Sequence, residues 1–474
     1  MFLPDNSVYV PVENPNMAEK QTENGHLSME ERLHSYEEIE HSYTEEEALE
    51  EAGRCLSCPT HWCQNACPAS LPVADFIAKI REKDYEGAYE LIHSASTLPE
   101  MCSRLCPQEK QCQSNCTRGI CTESVAIGKL ERFVADWHQA HAKAEKAEKT
   151  SGKKAAVIGA GPAGLAVAER LKEGGIEVTL YDREEQAGGL LRYGIPNMKL
   201  KREVLERKID FMKEEGIRFE TKKAVDQALA EELQARYDAV ILAVGAEETN
   251  KPKIVGAEQA KGIYYALDYL SSNIEAGEDR ERISAEGKNV VIIGAGDTSR
   301  DCLAMALRNG CQSAVQVKRK PEVFGKTHVW QPYSLEAEHV KAEYSQEEYA
   351  SVFCKDSYRY SSLVKEVKTD EEGRMKSVVL VKTEPKEEES GRTVMQAIPG
   401  TETEFPCELL LIAAGFSGPR QAIKDAFGLE FGSSYQTSIE KVFACGDCRI
   451  GQSLVVKAMA DGQKCAQAVL EYLA

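Results

Sequence analysis

"KAAVIGAGPAGLAVAERLKEGGIEVTLYDR", residues 154–183, reads as an apolar strand, a glycine-rich turn, a helix and a second strand. Gly159, Gly161 and Gly164 stand in G-x-G-x-x-G order, and each has a reason. Gly159 permits the tight turn, Gly161 lets the backbone approach a pyrophosphate, and Gly164 allows close helix–strand packing. The helix start then favours the phosphate charge. Asp182 closes the second strand, where an acid binds ribose hydroxyls. Pro162 and Ala163 complete the loop.

The pattern returns in "NVVIIGAGDTSRDCLAMALRNGCQSAVQVKRK", residues 289–320. Gly294 and Gly296 repeat the turn, Asp297 and Thr298 follow, and Ser299 takes the third glycine position. At the end of the second strand stand Lys318, Arg319 and Lys320 in place of an acid, an arrangement that accommodates the 2′-phosphate of NADP and so favours NADPH over NADH. The strands "AVILAVGA" (239–246) and "LLLIAAGF" (409–416) each end in glycine after small residues. Two Rossmann-like dinucleotide-binding domains are expected, the second inserted in the first, giving an α/β fold class. Charged "KEEESGR" splits two strand-like runs between 361 and 408, which suggests a surface hairpin.

At the C-terminus, "VFACGDCRIGQSLVVKAMADGQKCAQAVLEYL" joins a strand, the turn Gly446-Asp447, and a helix beginning near Gln452-Ser453. Asp447 is expected to bind the ribityl or diphosphate part of a flavin, with the helix start facing its ring. Cys445 and Cys448 form C-x-x-C, but without a thioredoxin-like context of their own. Two nucleotide sites in one chain suggest a flavin and a nicotinamide, between which the cofactors themselves carry hydride transfer. No residue is nominated as catalytic.

The chain has 474 residues, 42% hydrophobic and 28% charged, with a net charge of −19. That acidity argues against nucleic acid and anionic membranes as partners. No apolar run reaches the roughly 20 residues of a membrane span. The opening "MFLPDNSVYVPVENPNMAEK" lacks a signal-peptide pattern, so a cytoplasmic location is expected. There thiols stay reduced, yet there are sixteen cysteines. Nine of them (Cys55, Cys58, Cys63, Cys67, Cys102, Cys106, Cys112, Cys116 and Cys121) crowd one N-terminal region, which points to metal.

That region reads as helical. Thr44 and Glu47 make a capping box for "TEEEALEEAGRC", and Gly53 can end the helix. "VADFIAKIREKDYEGAYELIHSAS" suggests two more helices and "SVAIGKLERFVADWHQAH" another. The expected organisation is a loose polar arm (1–30), an α-helical two-cluster ferredoxin-like [4Fe–4S] domain (31–145) and an FAD-binding domain (150–250 and 408–474) interrupted by an NADP-binding domain (251–407). "HAKAEKAEKTSGKK" reads as a linker.

From "YTEEEALEEAGRCLSC" to the C-terminus the chain resembles the glutamate synthase small (beta) subunit family. The runs that carry this are "CLSCPTHWCQNACP", "VIGAGPAGLAVAERL", "GGLLRYGIPNMKL", "IIGAGDTSRDC", "AAGFSGP" and "FACGDCRIGQSLVVKAMADG". The same module occurs in dihydropyrimidine dehydrogenase and in the large subunit of a bifurcating ferredoxin:NADP transhydrogenase. The resemblance implies FAD, NADP and two [4Fe–4S] clusters. Cys55, Cys58, Cys63 and Cys116 would hold one cluster; Cys67, Cys106, Cys112 and the oxygen donor Glu131 would hold the other. Such crossing follows the rule that the last Cys of a C-x-x-C run before Pro serves the other cluster. Cys102 and Cys121 fall outside both sets, and His61 and Trp62 read as packing. The resemblance adds Gly189, Leu190 and Arg192 to the cofactor contacts.

The implied activity is oxidation of NADPH at FAD, with single electrons passing to a partner, the large glutamate synthase subunit or another electron-accepting flavoprotein. The chain supplies no amidotransferase chemistry of its own. A stand-alone or transhydrogenase-type NAD(P)H:acceptor oxidoreductase would keep every motif. A non-catalytic, zinc-stabilised nucleotide-binding scaffold is the reading from another class.

Overall fold

The computed structural model describes residues 12–143, 150–274, 281–321, 344–387 and 393–474. The linker run 144–149 and the hairpin tip 388–392 lie outside these residues. The helical part begins with Glu45–Gly53, whose Thr44 and Glu47 close a reciprocal capping box. Helices Val73–Arg81, Tyr85–Ala95, Pro99–Leu105 and Ile127–His141 follow. Pro99–Leu105 turns Met101 and Cys102 to a different core, but the apolar faces of the other helices meet in one, where Phe76, Ile77, Ile80, Ile92, Leu130 and Val134 are fully buried. Three short 3₁₀ turns between residues 108 and 120 carry Cys112 and Cys116 into that core.

Two parallel five-stranded sheets follow. The first has the order β16-β4-β1-β2-β3, from β1 (Lys154–Ile158), β2 (Glu177–Tyr181), β3 (Arg218–Glu220), β4 (Ala239–Leu242) and β16 (Val442–Ala444). Its central strands are buried on both faces, as parallel strands between helices must be. The second has the order β6-β14-β7-β8-β9, from β6 (Ile263–Tyr265), β7 (Asn289–Ile293), β8 (Ser313–Val317), β9 (Tyr358–Arg359) and β14 (Leu409–Ile412). An antiparallel group lies beside it: β10 (Ser362–Thr369), β11 (Met375–Glu387), β12 (Thr393–Ala397) and β13 (Thr403–Pro406). The second sheet is an insertion between β4 and β16. Its two connections pair as an antiparallel ribbon, β5 (Glu248–Thr249) with β15 (Phe416–Gly418).

One strand departs from the expected division. "LLLIAAGF" lies within the range expected for the first domain, but Leu409–Ile412 pairs with β6 and β7 in the second sheet. It stands to β7 as β4 stands to β1, on the side away from the second strand of the unit. The chain returns to the first fold only at the β15 ribbon.

The N-terminal stretch is pinned where it is described. Buried Arg54 donates to the carbonyls of Ala18, Glu19, Glu123 and Ser124 and pairs with Glu51 at 2.8 Å. Further on, Ile39 N–H donates to Met198 O at 3.0 Å, Arg32 pairs with Glu347, and the Arg308 side chain donates to Ser35 O. Glu38 receives both Arg104 (2.7 Å) and Arg132 (2.6 Å). Residues 18–39 therefore touch the helical part and both nucleotide folds. No helix among the described residues is long and apolar enough to cross a membrane.

Candidate functional site

At the first glycine loop, Gly159 has φ +103, and a Cβ there would stand 2.4 Å from Ala243 O. Gly161 and Gly189 lie back to back; a Cβ on Gly189 would come 2.7 Å from Gly161 Cα. These side-chain-free surfaces leave a cradle at the start of the Pro162–Glu173 helix, where backbone N–H groups favour an anion. Asp182 ends β2 beside it. Its carboxylate accepts from Ala160 N–H (2.7 Å) and Glu184 N–H (2.8 Å). Burial raises that carboxyl, and the two N–H groups partly oppose the rise. A carboxylate has about four lone-pair positions, so capacity for ribose hydroxyls remains.

Gly446 reaches the same helix start, against Ala163, and donates its N–H to Asp461 at 2.7 Å. Asp447 accepts from Ser453 Oγ at 2.6 Å. Two predicted contacts point elsewhere. Gln452 accepts from Phe416 N–H at 3.0 Å, which locks the ribbon to the C-terminal segment. Arg192 is buried in its own loop, donating to Ala187 O at 2.8 Å and pairing with Glu206 at 3.3 Å. Leu190 is exposed.

The second cradle is built alike. Gly294 has φ +133 against Ala413 O, and Gly296 caps the Asp297–Arg308 helix. Thr298 lies half-buried in its first turn, while Asp297 is paired with Arg300 at 2.9 Å. Lys318 follows β8 directly and lies over the rings of Tyr358 and Tyr360, whereas Arg319 and Lys320 are exposed. Arg359, paired in register with Val317, adds a cation at this sheet end. It comes from a strand far along the chain, so no sequence spacing announces it.

The cysteines fall into two sets. Cys63 is pushed up to about 12 by burial and then by Cys116, Cys55 and Cys58. These four form the first set, on the Cys55–Cys63 loop and the 3₁₀ turns. Ser57 and His61 there have positive φ, and the turned backbone aims the Ser57 N–H at Cys55 and the Gln64 N–H at Cys63. Cys116 Sγ accepts the Val125 N–H at 3.5 Å. Arg81, absent from the sequence-based set, fixes the loop by donating to Cys55 O (3.2 Å) and Ser57 Oγ (3.1 Å). Trp62 is 39% exposed.

The second set gathers round Glu131. Cys67 and Cys112 are raised by burial and then by the Glu131 charge; Cys106 by a Cys102 hydrogen bond, by burial and by Glu131. Glu131 is buried, and burial with Glu100 nearby lifts its carboxyl to about 8. No donor reaches it among the described residues. A buried carboxyl with no donor, beside three thiols, is a donor set whose chemistry fits a cationic metal group.

Spacing tests which metal group fits. Zn–S bonds of about 2.3 Å put tetrahedral sulfurs about 3.8 Å apart. Among the described residues no three cysteine sulfurs lie within 4.8 Å of one another; the group that does is His93, Glu169 and Glu173. That trio is an ion-pair network already holding Lys208 (2.6 Å) and Arg170 (2.7 Å). The wider sulfur sets, with N–H groups aimed at the sulfurs, suit a multi-iron cluster and not single zinc ions.

Known proteins agree with this division. A family described as dihydropyrimidine dehydrogenase domain II, 4Fe-4S cluster, matches residues 32–143, and pyridine nucleotide-disulphide oxidoreductase matches residues 153–343. The glutamate synthase [NADPH] small chain of Bacillus subtilis is 35% identical over 93% of this chain and 94% of its own. Glutamate synthase [NADH] of Schizosaccharomyces pombe is 32% identical over 92% of this chain, which spans 22% of that longer protein. Mycobacterium tuberculosis FprA in complex with NADPH shares the fold, with TM-score 0.53 and 18% identity over 68% of this chain and 84% of its own.

Proposed function

The chain belongs to the glutamate synthase small-chain family, and we propose that it is the electron-input subunit of a glutamate synthase. It is an NADPH-dependent oxidoreductase of the iron–sulfur flavoprotein type. The first cradle (Gly159, Gly161, Gly164, Asp182, Gly189, Gly446, Asp447) would hold FAD, and the second (Gly294, Gly296, Arg319, Lys320) NADPH. Cys55, Cys58, Cys63 and Cys116 would hold one [4Fe–4S] cluster, and Cys67, Cys106, Cys112 and Glu131 the other. When bound, these groups supply hydride acceptance at the flavin and release of electrons singly through the clusters.

The protein's own residues align and insulate. Gln452 ties the C-terminal segment to the ribbon between the folds, so the two cradles share one support. One observation carries the electron route. Cys102 lies in the apolar core of the first nucleotide fold and Cys106 packs against it, while Cys67 and Cys112 pack in or against the helical core. The second cysteine set therefore bridges both cores, whereas Cys55, Cys63 and Cys116 of the first pack against the helical core. Electrons leaving the first fold would therefore reach the second set before the first.

The large glutamate synthase subunit is the proposed acceptor. The yeast relative supports this, because there the module is one part of a longer glutamate synthase chain. A cytoplasmic site of action follows from that pairing. Anaerobically purified protein should be yellow-brown, contain flavin, iron and sulfide, reduce artificial acceptors with NADPH, and make no glutamate alone. Co-purification from the native source should recover an amidotransferase-bearing large chain. A colourless protein with stoichiometric zinc would overturn the iron–sulfur assignment. A flavoprotein of ferredoxin-reductase type in place of the large chain would overturn the partner.

A further inference from the structure

Two members of the second ligand set lie on neighbouring helices. Cys106 ends Pro99–Leu105, and Glu131 lies within Ile127–His141. Each helix carries an arginine beside its ligand: Arg104 stands two residues before Cys106, and Arg132 directly follows Glu131. Both arginines converge on Glu38 of the N-terminal stretch. Glu38 Oε1 accepts from Arg104 Nε at 2.7 Å, and Oε2 accepts from Arg132 Nη2 at 2.6 Å. Asp136 completes the group, accepting from Arg104 Nη2 at 2.7 Å and from Arg132 Nε at 3.3 Å.

Glu38 and Arg132 are buried, and the Arg104 side chain is 4% exposed. Two cations and two carboxylates cancel there, as buried charges must. The helices themselves supply three of those charges. Without Glu38 their interface would keep two guanidinium groups and a single carboxylate. Gln in its place offers one acceptor oxygen and turns an NH2 group toward the other arginine. Glu38 is also held from both sides along the chain. Glu37 pairs with Lys201 at 2.8 Å, and Ile39 N–H donates to Met198 O at 3.0 Å. Ile39 is buried with Met198 and with Ala304 of the second fold. The carboxylate thus enters the helical part from a segment anchored on both nucleotide folds.

Resting on the iron–sulfur reading above, we infer that Glu38 is a positioning residue for the second cluster. It neutralises the two arginines and clamps their helices together, so that Cys106 and Glu131 stay within reach of one metal group. The first set has no residue on either helix, so the effect is confined to one cluster.

The experiment loads the full-length protein anaerobically with iron and sulfide. Iron content, flavin content and EPR of the reduced state are then compared in Glu38→Gln, Glu38→Asp and the double variant Glu38→Gln, Arg132→Met. Glu38→Gln should keep its flavin and one cluster signal and lose the other, with about half the iron. Glu38→Asp, which keeps the charge, should retain more of that signal. Adding Arg132→Met removes the unpaired cation and should restore the lost signal, a non-additive result expected where two charges act on each other. Wild-type iron and both signals in Glu38→Gln overturn the inference. Joint loss of flavin and both signals also overturns it, by showing a general structural role, as does a double variant no better than the single one. Wild-type protein that takes up neither iron nor sulfide overturns the iron–sulfur reading itself, a result distinct from a silent variant.

Discussion

At the third small position, the first glycine loop carries Gly164 and the second carries Ser299. A Cβ on Gly164 would stand 1.8 Å from Gly159 O. Ser299 meets the equivalent carbonyl differently: its Oγ donates to Gly294 O at 2.8 Å and accepts from the Gln316 amide at 2.7 Å. The reason lies on the other side of the helices. Pro162–Glu173 is pressed inward by Val455–Leu473, whose Gly462 rests on Ala163 O so closely that a Cβ would come within 2.4 Å. Glycine at the third position thus answers to whatever covers the helix as well as to the loop itself.

The outer faces of the same two helices also dock different neighbours. The first turns Glu169 to Lys208 (2.6 Å) and to His93 (2.9 Å) of the helical domain. The second turns Asp301 to Lys199 (3.1 Å), and Arg308 to Glu348 (2.7 Å) and the N-terminal arm. One helix is bolted to the cysteine-bearing domain and the other to the arm.

Making the first loop like the second should break it. Gly164→Ser is expected to cost about 3 kcal/mol or more through overpacking and to abolish flavin retention, read by thermal denaturation and flavin absorbance. Acid tests the docking of the first helix. Burial alone would raise the Glu169 carboxyl, but Lys208 and His93 overcome it and hold it at about 2. Its contribution is therefore complete above about pH 4.5 and lost as pH falls toward 2, a loss of about 3 kcal/mol. Denaturation midpoints between pH 5 and 3 should fall more steeply in wild type than in Glu169→Gln.

The cations after β8 separate the two cradles by ligand. Arg319→Ala combined with Lys320→Ala should raise the KM for NADPH roughly ten- to a hundredfold and leave that for NADH in place. Steady-state rates with an artificial acceptor give both values; equal changes for the two coenzymes would remove these residues from 2′-phosphate recognition. The smallest effect belongs to Ser299→Ala, which strips the buried Gln316 amide of its acceptor and should cost about 1–2 kcal/mol in a melting experiment.

The elements that repeat a local rule could be read directly from the chain. The Thr44–Glu47 capping box, both glycine turns and the apolar faces of the N-terminal helices are fixed by residues within a few positions of each other. The cysteine sets could be proposed because spacing and a family resemblance spoke together. What stayed hidden joins distant residues. Arg32 reaches Glu347 across 315 positions, Glu38 collects Arg104 and Arg132, and Arg359 arrives beside β8 from a separate strand. No period or motif links such pairs. The sheet that takes the strand "LLLIAAGF" is hidden for a similar reason, since both folds end a central strand in small residues and glycine, and only pairing tells them apart.

The β5–β15 ribbon has a consequence for how such a chain can be assembled. Asn250 N–H donates to Gly415 O at 3.0 Å, so the two ends of the whole second fold are hydrogen-bonded neighbours. A short Asn-Gly turn could close the ribbon in their place, because hairpins of this kind need only two connecting residues. Seen in this way the second fold is a cassette with a single doorway. It could be removed or exchanged without breaking a strand of the first sheet.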